Sequence, residues 1–143
     1  MTKVFPVDDD ALVELAVALA RTSSVSGTEG PAVALAAAAM EKAGFGRVDI
    51  DASGNAIGSI GPEGGPTLMI DGHIDSIPLH SPERWSVDPF GGEIRDGSLY
   101  GLGICDQKAS IAAAIWGVAA VAPHLSSRSR SPCPTRCARQ EHR

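Results

Sequence analysis

Leu12, Leu15, Ala16 and Leu19 recur three and four residues apart behind the acidic triplet Asp8, Asp9 and Asp10. That period predicts an N-capped amphipathic helix over about residues 9–21, with the carboxylates at the positive end of its dipole. Thr22-Ser23-Ser24-Val25-Ser26-Gly27 breaks the pattern. A second helix is expected from near Thr28, with Pro31 in its first turn and Gly44 as its terminator. It is rich in alanine, including Ala34, Ala36, Ala37, Ala38 and Ala39, which suits close packing on a sheet. Val48 and Ile50 then alternate with polar neighbours. Residues 47–51 and 55–60 read as a hairpin turning on Ala52-Ser53-Gly54, and a glycine-rich turn over 61–66 follows.

The apolar run Leu68-Met69-Ile70 at the centre of residues 67–71 predicts a central strand buried on both faces. It ends in Gly72-His73-Ile74-Asp75, polar groups at the C-terminal end of a strand, where open α/β sheets place their ligands. A long proline-containing loop over 76–92 carries Trp85 and Phe90, and loops of that length are more often functional than decorative. Residues 93–100 form a second hairpin signal centred on Asp96-Gly97. Residues 107–121, stopped by Pro123, read as a helix with almost no polar face, expected to be buried nearly all round. Helices alternating with strands in this order give an α/β fold.

Composition narrows the function classes. At 143 residues and 43% hydrophobic, the chain is long enough for one domain with its own core. Residues 1–127 hold 7 basic against 16 acidic side chains, whereas 128–143 hold 5 against 1. An acidic body has no electrostatic footprint for nucleic acid and suits an enzyme that concentrates cations. No stretch approaches the ~20 apolar residues of a membrane span, and acidic residues stand where a signal peptide is basic. A cytoplasmic location follows, and with Cys105 the only cysteine of the body no disulfide framework is expected. The body is assigned to residues 1–125. The basic tail over 126–143 has nothing to bury and is expected to be disordered. Its Arg, Ser, Pro and Cys content is what a shifted reading frame of a GC-rich gene yields.

Each candidate site residue has two readings when taken alone. His73 and Asp75 leave an extended strand on the same side, as a metal ligand with the carboxylate that orients it, or as a satisfied core histidine with a turn cap. Asp106 stands in a glycine-rich turn as an anionic ligand or as a plain N-cap of the next helix. Cys105 reads as a small buried hydrophobe rather than a ligand. Lys108 reads as a solvated helix-end lysine or as a carboxylate partner. Trp85 and Phe90 either line a substrate entrance or anchor their loop. Cys133, Cys137 and His142 match metal spacing only loosely.

Together these residues fall in a specific order: Gly72-His73-Ile74-Asp75-Ser76-Ile77-Pro78, then Trp85-Ser86-Val87-Asp88-Pro89-Phe90, then residues 96–108 ending in Gly103-Ile104-Cys105-Asp106-Gln107-Lys108. The series resembles the signature of the dinuclear zinc peptidase and deacylase family, which includes acetylornithine deacetylase, succinyl-diaminopimelate desuccinylase, aminoacylase and glutamate carboxypeptidases. Ser24-Val25-Ser26-Gly27 with Glu29, and Gly54-Asn55, resemble its N-terminal pattern, so the likeness runs over roughly residues 9–125. It implies the N-terminal part of an aminopeptidase-like catalytic domain, a mixed sheet flanked by helices. It further implies that His73 binds one zinc and that Asp75, the catalytic aspartate, orients the imidazole. Asp106 would bridge two zincs, with a cis Asp106-Gln107 peptide. Cobalt or manganese are possible substitutes. Two such ions about 3.5–4 Å apart polarise a carbonyl and activate water for amide hydrolysis. The implied substrates are N-acyl amino acids or small peptides.

Leu102 and Ala109 depart from the family's usual arginine and glycine. The family's adjacent glutamate pair, later ligands and dimerising lid domain have no counterpart, the only late glutamate being Glu141. Catalytic zinc usually takes three protein ligands and a water, so the chain is expected to be an incomplete, inactive fragment. The alternative is a non-catalytic binding protein derived from the same fold. A regulatory or nucleic-acid role for the Arg-Ser tail is a third reading, set aside for its small charge.

Overall fold

The computed structural model describes residues 5–62 and 67–125, together with the backbone of 135–137. The first helix, α1, spans Asp9–Arg21 as the spacing predicts, and the Asp8 carboxylate caps it by accepting the Ala11 N–H at 3.0 Å. Helix α2, Gly30–Lys42, starts later than Thr28. The Thr28 N–H and hydroxyl both donate to the Val25 carbonyl in the preceding turn, at 2.8 and 2.7 Å. Gly44 ends α2 in the left-handed region at φ +84°, a conformation that costs a residue with a Cβ more than it costs glycine.

The first hairpin, β1 (Arg47–Ile50) and β2 (Ala56–Ser59), pairs Arg47 with Ser59 and Ile50 with Ala56. It lies tightly against α2. A Cβ placed on Gly58 would stand 2.6 Å from Met40 Sδ and 2.7 Å from Phe45 Cδ1, so glycine sets the approach of helix to sheet. Strand β3 is Ile70–Gly72, and β4 (Glu93–Arg95) with β5 (Ser98–Tyr100) forms a separate two-stranded ribbon. Its turn has Asp96 at φ +51° and Gly97 at φ +74°, the pair of positive angles that suits the strand twist of a tight hairpin. Helix α3, Ala109–Val121, packs on α1 and touches β3. Leu19, Met40 and Ile115 are fully buried where the three helices meet.

Strand β6, Thr135–Cys137, runs antiparallel to β2 and parallel to β3, giving a mixed sheet in the order β1-β2-β6-β3. The expectation of a wholly disordered tail is corrected at these three residues. Strand pairing uses backbone groups that every non-proline residue carries, so a segment with no apolar pattern still completes a sheet. The rest of the tail, including Cys133 and His142, lies outside the described residues, as do residues 63–66 of the glycine-rich turn.

Three other expectations are corrected. The strand over 67–71 is not buried on both faces: Leu68 is 65% and Met69 55% exposed, and the paired strand begins only at Ile70. Helix α3 is buried on one stripe, Ile111, Ala112, Ile115 and Trp116, while Val121 is exposed. An all-apolar composition makes a helix fit for burial without supplying the neighbours that bury it. Finally, the 21 residues from Ile104 to His124 are long and apolar enough to span a membrane by length and composition, contrary to the sequence count. The regular α-helix within them has 13 residues. At 1.5 Å per residue it rises roughly 20 Å against a hydrocarbon core of ~30 Å.

Candidate metal centre

His73 and Asp75 follow β3 directly, and Asp106 sits in an irregular turn, Ile104–Lys108, that leads into α3. The turn begins at Gly103, whose φ of +76° is left-handed, and contains a cis peptide between Asp106 and Gln107. Its backbone is closed by Lys108 N–H donating to the Gly103 carbonyl at 3.1 Å. Ile104 and Lys108 point inward, while Cys105 and Asp106 point outward. Cys105 is therefore exposed, not the buried hydrophobe expected from its composition. Asp106 is not a helix cap either. It has non-helical backbone angles, and α3 starts beyond it without any side-chain cap.

Strand end and turn meet at the imidazole. His73 Nδ1 lies 3.1 Å from Asp75 Oδ1, and His73 Nε2 lies 3.0 Å from Asp106 Oδ1. A carboxylate only accepts, so Nδ1 carries a hydrogen that it donates to Asp75. On the other side, a bare nitrogen lone pair and a carboxylate oxygen at 3.0 Å repel each other. A proton or a metal cation belongs between them. Zinc bound tetrahedrally at ~2.0–2.2 Å from each atom would set nitrogen and oxygen about 3.4 Å apart, so an opening of a few tenths of an ångström admits it. The donor types and their separation thus fit a divalent cation. Among the described residues no group of three or more His, Cys, Asp and Glu side chains converges on one point, because Asp75 faces the far nitrogen.

Two more features approach from the end of the turn and the start of α3. A Cβ on Gly72 would stand 2.7 Å from both Gln107 Oε1 and Ile111 Cδ1, so a side chain there would push the strand off the turn. Lys108 is fully buried, and its ammonium donates to the Thr22 carbonyl at 2.7 Å, at the C-terminal end of α1. It is neither the solvated lysine nor the carboxylate partner that the sequence suggested. Burial pushes its pKa below the ordinary lysine value.

The loop between α1 and α2, whose Ser24-Val25-Ser26-Gly27 resembles the family's N-terminal pattern, also bonds to the centre, a role the sequence did not assign to it. Ser26 Oγ donates to Asp75 Oδ2 at 2.7 Å, and the fully buried Ser24 donates from Oγ to the Ile74 carbonyl at 2.8 Å. The signal was three serines within four residues, where a helix break needs none. A cleft of about 410 Å³ opens beside Asp75, between Glu29 and Val33 on one wall and Ile50 and Ser53 on the other. Trp85 and Phe90 are half-buried in a loop held by the Leu102 N–H donating to the Pro89 carbonyl at 2.8 Å and by the Arg21 side chain donating from Nε to the Gly91 carbonyl at 3.0 Å.

Residues 69–131 match the sequence profile of peptidase family M20/M25/M40. Succinyl-diaminopimelate desuccinylase 2 of Ruegeria sp. is 42% identical over 104 residues, 71% of this chain and 26% of that protein. The desuccinylase of Bradyrhizobium diazoefficiens is 36% identical over 133 residues, 86% of this chain and 32% of that protein. The chain thus spans about a quarter to a third of the length of the curated relatives it matches. Among solved structures, an M20 family metallo-carboxypeptidase from Sulfolobus solfataricus superposes with a TM-score of 0.75 at 19% identity, over 91% of this chain and 31% of that one. Human carnosine dipeptidase 1 gives 0.69 at 22%, over 93% and 32%. These likenesses establish the α/β fold over a partial span.

Proposed function

We propose, for a chain that belongs to peptidase family M20/M25/M40, that its strand end and cis turn form one side of a metal-dependent amidohydrolase centre. His73 Nε2 and Asp106 Oδ1 would hold the cation, and Asp75 would orient the imidazole. The observation that carries this reading is the pair of facing donors at 3.0 Å with a carboxylate on the opposite imidazole nitrogen. When bound, a zinc ion supplies Lewis acidity and activates water near neutral pH, with cobalt or manganese as substitutes.

The chain's own residues supply binding and orientation. Asp75 fixes the Nδ1–H tautomer and makes Nε2 a better donor, the usual work of a carboxylate behind a metal-binding histidine. Asp106 contributes negative charge from a turn whose backbone is already set. The desuccinylase relatives point to N-acyl amino acids or small peptides as substrates. Two ligand atoms are fewer than the three protein ligands of a catalytic zinc, so further donors are needed for turnover.

Calorimetric titration with zinc or cobalt tests the reading. The chain binds one ion, His73→Ala abolishes binding, and neither protein hydrolyses an N-succinyl amino acid. Unimpaired binding by His73→Ala would refute the assignment of the centre. Metal-dependent turnover by the unaided chain that is lost in His73→Ala would refute its incompleteness.

A further inference from the structure

We propose that Ser26 is a positioning residue for the imidazole of His73, acting through Asp75, and that the loop between α1 and α2 is the frame on which both sides of the centre are mounted. The inference rests on the metal reading above and adds to it a residue outside the ligand set. Both oxygens of Asp75 are engaged: Oδ1 faces His73 Nδ1 at 3.1 Å, and Oδ2 accepts from Ser26 Oγ at 2.7 Å. The second bond removes the carboxylate's freedom to turn about its own axis. A carboxylate held at one oxygen only can swing, and the imidazole hydrogen-bonded to it swings as well.

Ser26 is itself held in place. Ser24 Oγ donates to the Ile74 carbonyl at 2.8 Å, and Ser76 N–H donates to the Ser24 carbonyl at 2.8 Å. Asp75 is thereby gripped through both chain neighbours. Val25 and Ser76 form an isolated parallel bridge, and beyond Ser26 the Gly27 N–H donates to Glu29 Oε1 at 2.6 Å. At its start the same loop offers the Thr22 carbonyl to the Lys108 ammonium, two residues after Asp106. One stretch of six residues therefore fixes the strand end through Ser24 and Ser26 and the turn through Thr22. Its serines are placed by bonding to the centre, a role beyond interrupting a helix.

The test uses the full chain and cobalt(II), read by calorimetry, by the visible absorption of the bound ion and by the nitrogen-15 shifts of His73, which report the imidazole tautomer. Ser26 is exposed, so Ser26→Ala removes one hydroxyl without opening the core. Ser26→Ala is expected to weaken cobalt binding by about 10- to 100-fold, the range for an outer partner of a metal ligand, and to alter both spectra. Ser26→Thr keeps the hydroxyl and restores them. Ser24→Ala removes one grip on the strand backbone but leaves the Asp75 carboxylate bonded at both oxygens, so it is expected to lower the unfolding midpoint, to weaken cobalt binding less than Ser26→Ala does, and to leave the nitrogen-15 shifts of His73 nearer the parent's.

Parental affinity in Ser26→Ala, with binding lost in His73→Ala, would overturn the role of Ser26 and leave the metal reading standing. Equal losses in Ser26→Ala and Ser24→Ala without rescue by threonine would reduce Ser26 to a structural part and likewise overturn the proposal. Parental binding in His73→Ala would remove the metal reading and this inference with it.

Discussion

The strand end that carries His73 and the turn that carries Asp106 approach to 3.0 Å and are anchored by different means. Asp75, the support of the strand end, has a side chain only 11% exposed and bonded at both oxygens, so that region is held through side chains. The Asp106 side chain is 85% exposed. What fixes it is the backbone of its turn, closed between Gly103 and Lys108 and tied to α1 by a buried ammonium. The difference teaches that substitutions on the strand end perturb direction, whereas substitutions around the turn perturb position. Each region is vulnerable at different residues.

Four variants probe that contrast. Asp106→Asn removes a charge from an exposed side chain, so metal affinity is expected to fall by about 100-fold or more, beyond the usual cost of an outer partner, with no change in unfolding midpoint. Calorimetry with zinc and a thermal melt check the two halves of that statement. Gly72→Val drives a side chain into Gln107 and Ile111 and should separate the two regions. A loss of about 1–3 kcal/mol in urea unfolding is expected, as for overpacking elsewhere, accompanied by weaker metal binding.

Lys108→Met gives a smaller, pH-dependent effect. Because burial lowers the native pKa of Lys108, there is a window below about 10.4 in which the unfolded chain still holds the proton and the native chain has released it. Stability therefore rises with pH across that window, by at most about 1.4 kcal/mol per pH unit for one group. The methionine variant should lack this rise when the two unfolding profiles are subtracted. The smallest effect belongs to the double change Leu68→Ser and Met69→Ser. These exposed positions lie ahead of the paired strand, and unfolding free energy should stay within about 0.5 kcal/mol of the parent. A large loss would mean that the run is covered after all.

Local rules were legible in the chain. Helix α1 was placed residue for residue because Asp8 caps it and its apolar period is clean, and the Asp96-Gly97 turn declared its own hairpin. Non-local facts were less so. The run over 67–71 and helix α3 are apolar enough to be buried, but burial depends on neighbours that periodicity does not reveal. For the site, His73, Asp75 and Asp106 could be grouped only by the resemblance of three motifs, and their contacts now span 33 residues of chain. The burial of Lys108 was hidden for the same reason. Its acceptor is a main-chain carbonyl 86 residues away, and carbonyls carry no sequence signal.

The contact between His73 and Asp106 also has a thermodynamic side. A cation held by both residues would cross-link two segments that are distant in sequence, closing a loop in the manner of a disulfide but reversibly. By mass action such a ligand stabilises the native chain by about 2.7 kcal/mol at a free concentration 100 times its dissociation constant. Metal supply would then set how tightly this chain is folded as well as whether its centre is loaded, and a chelator would act on both together.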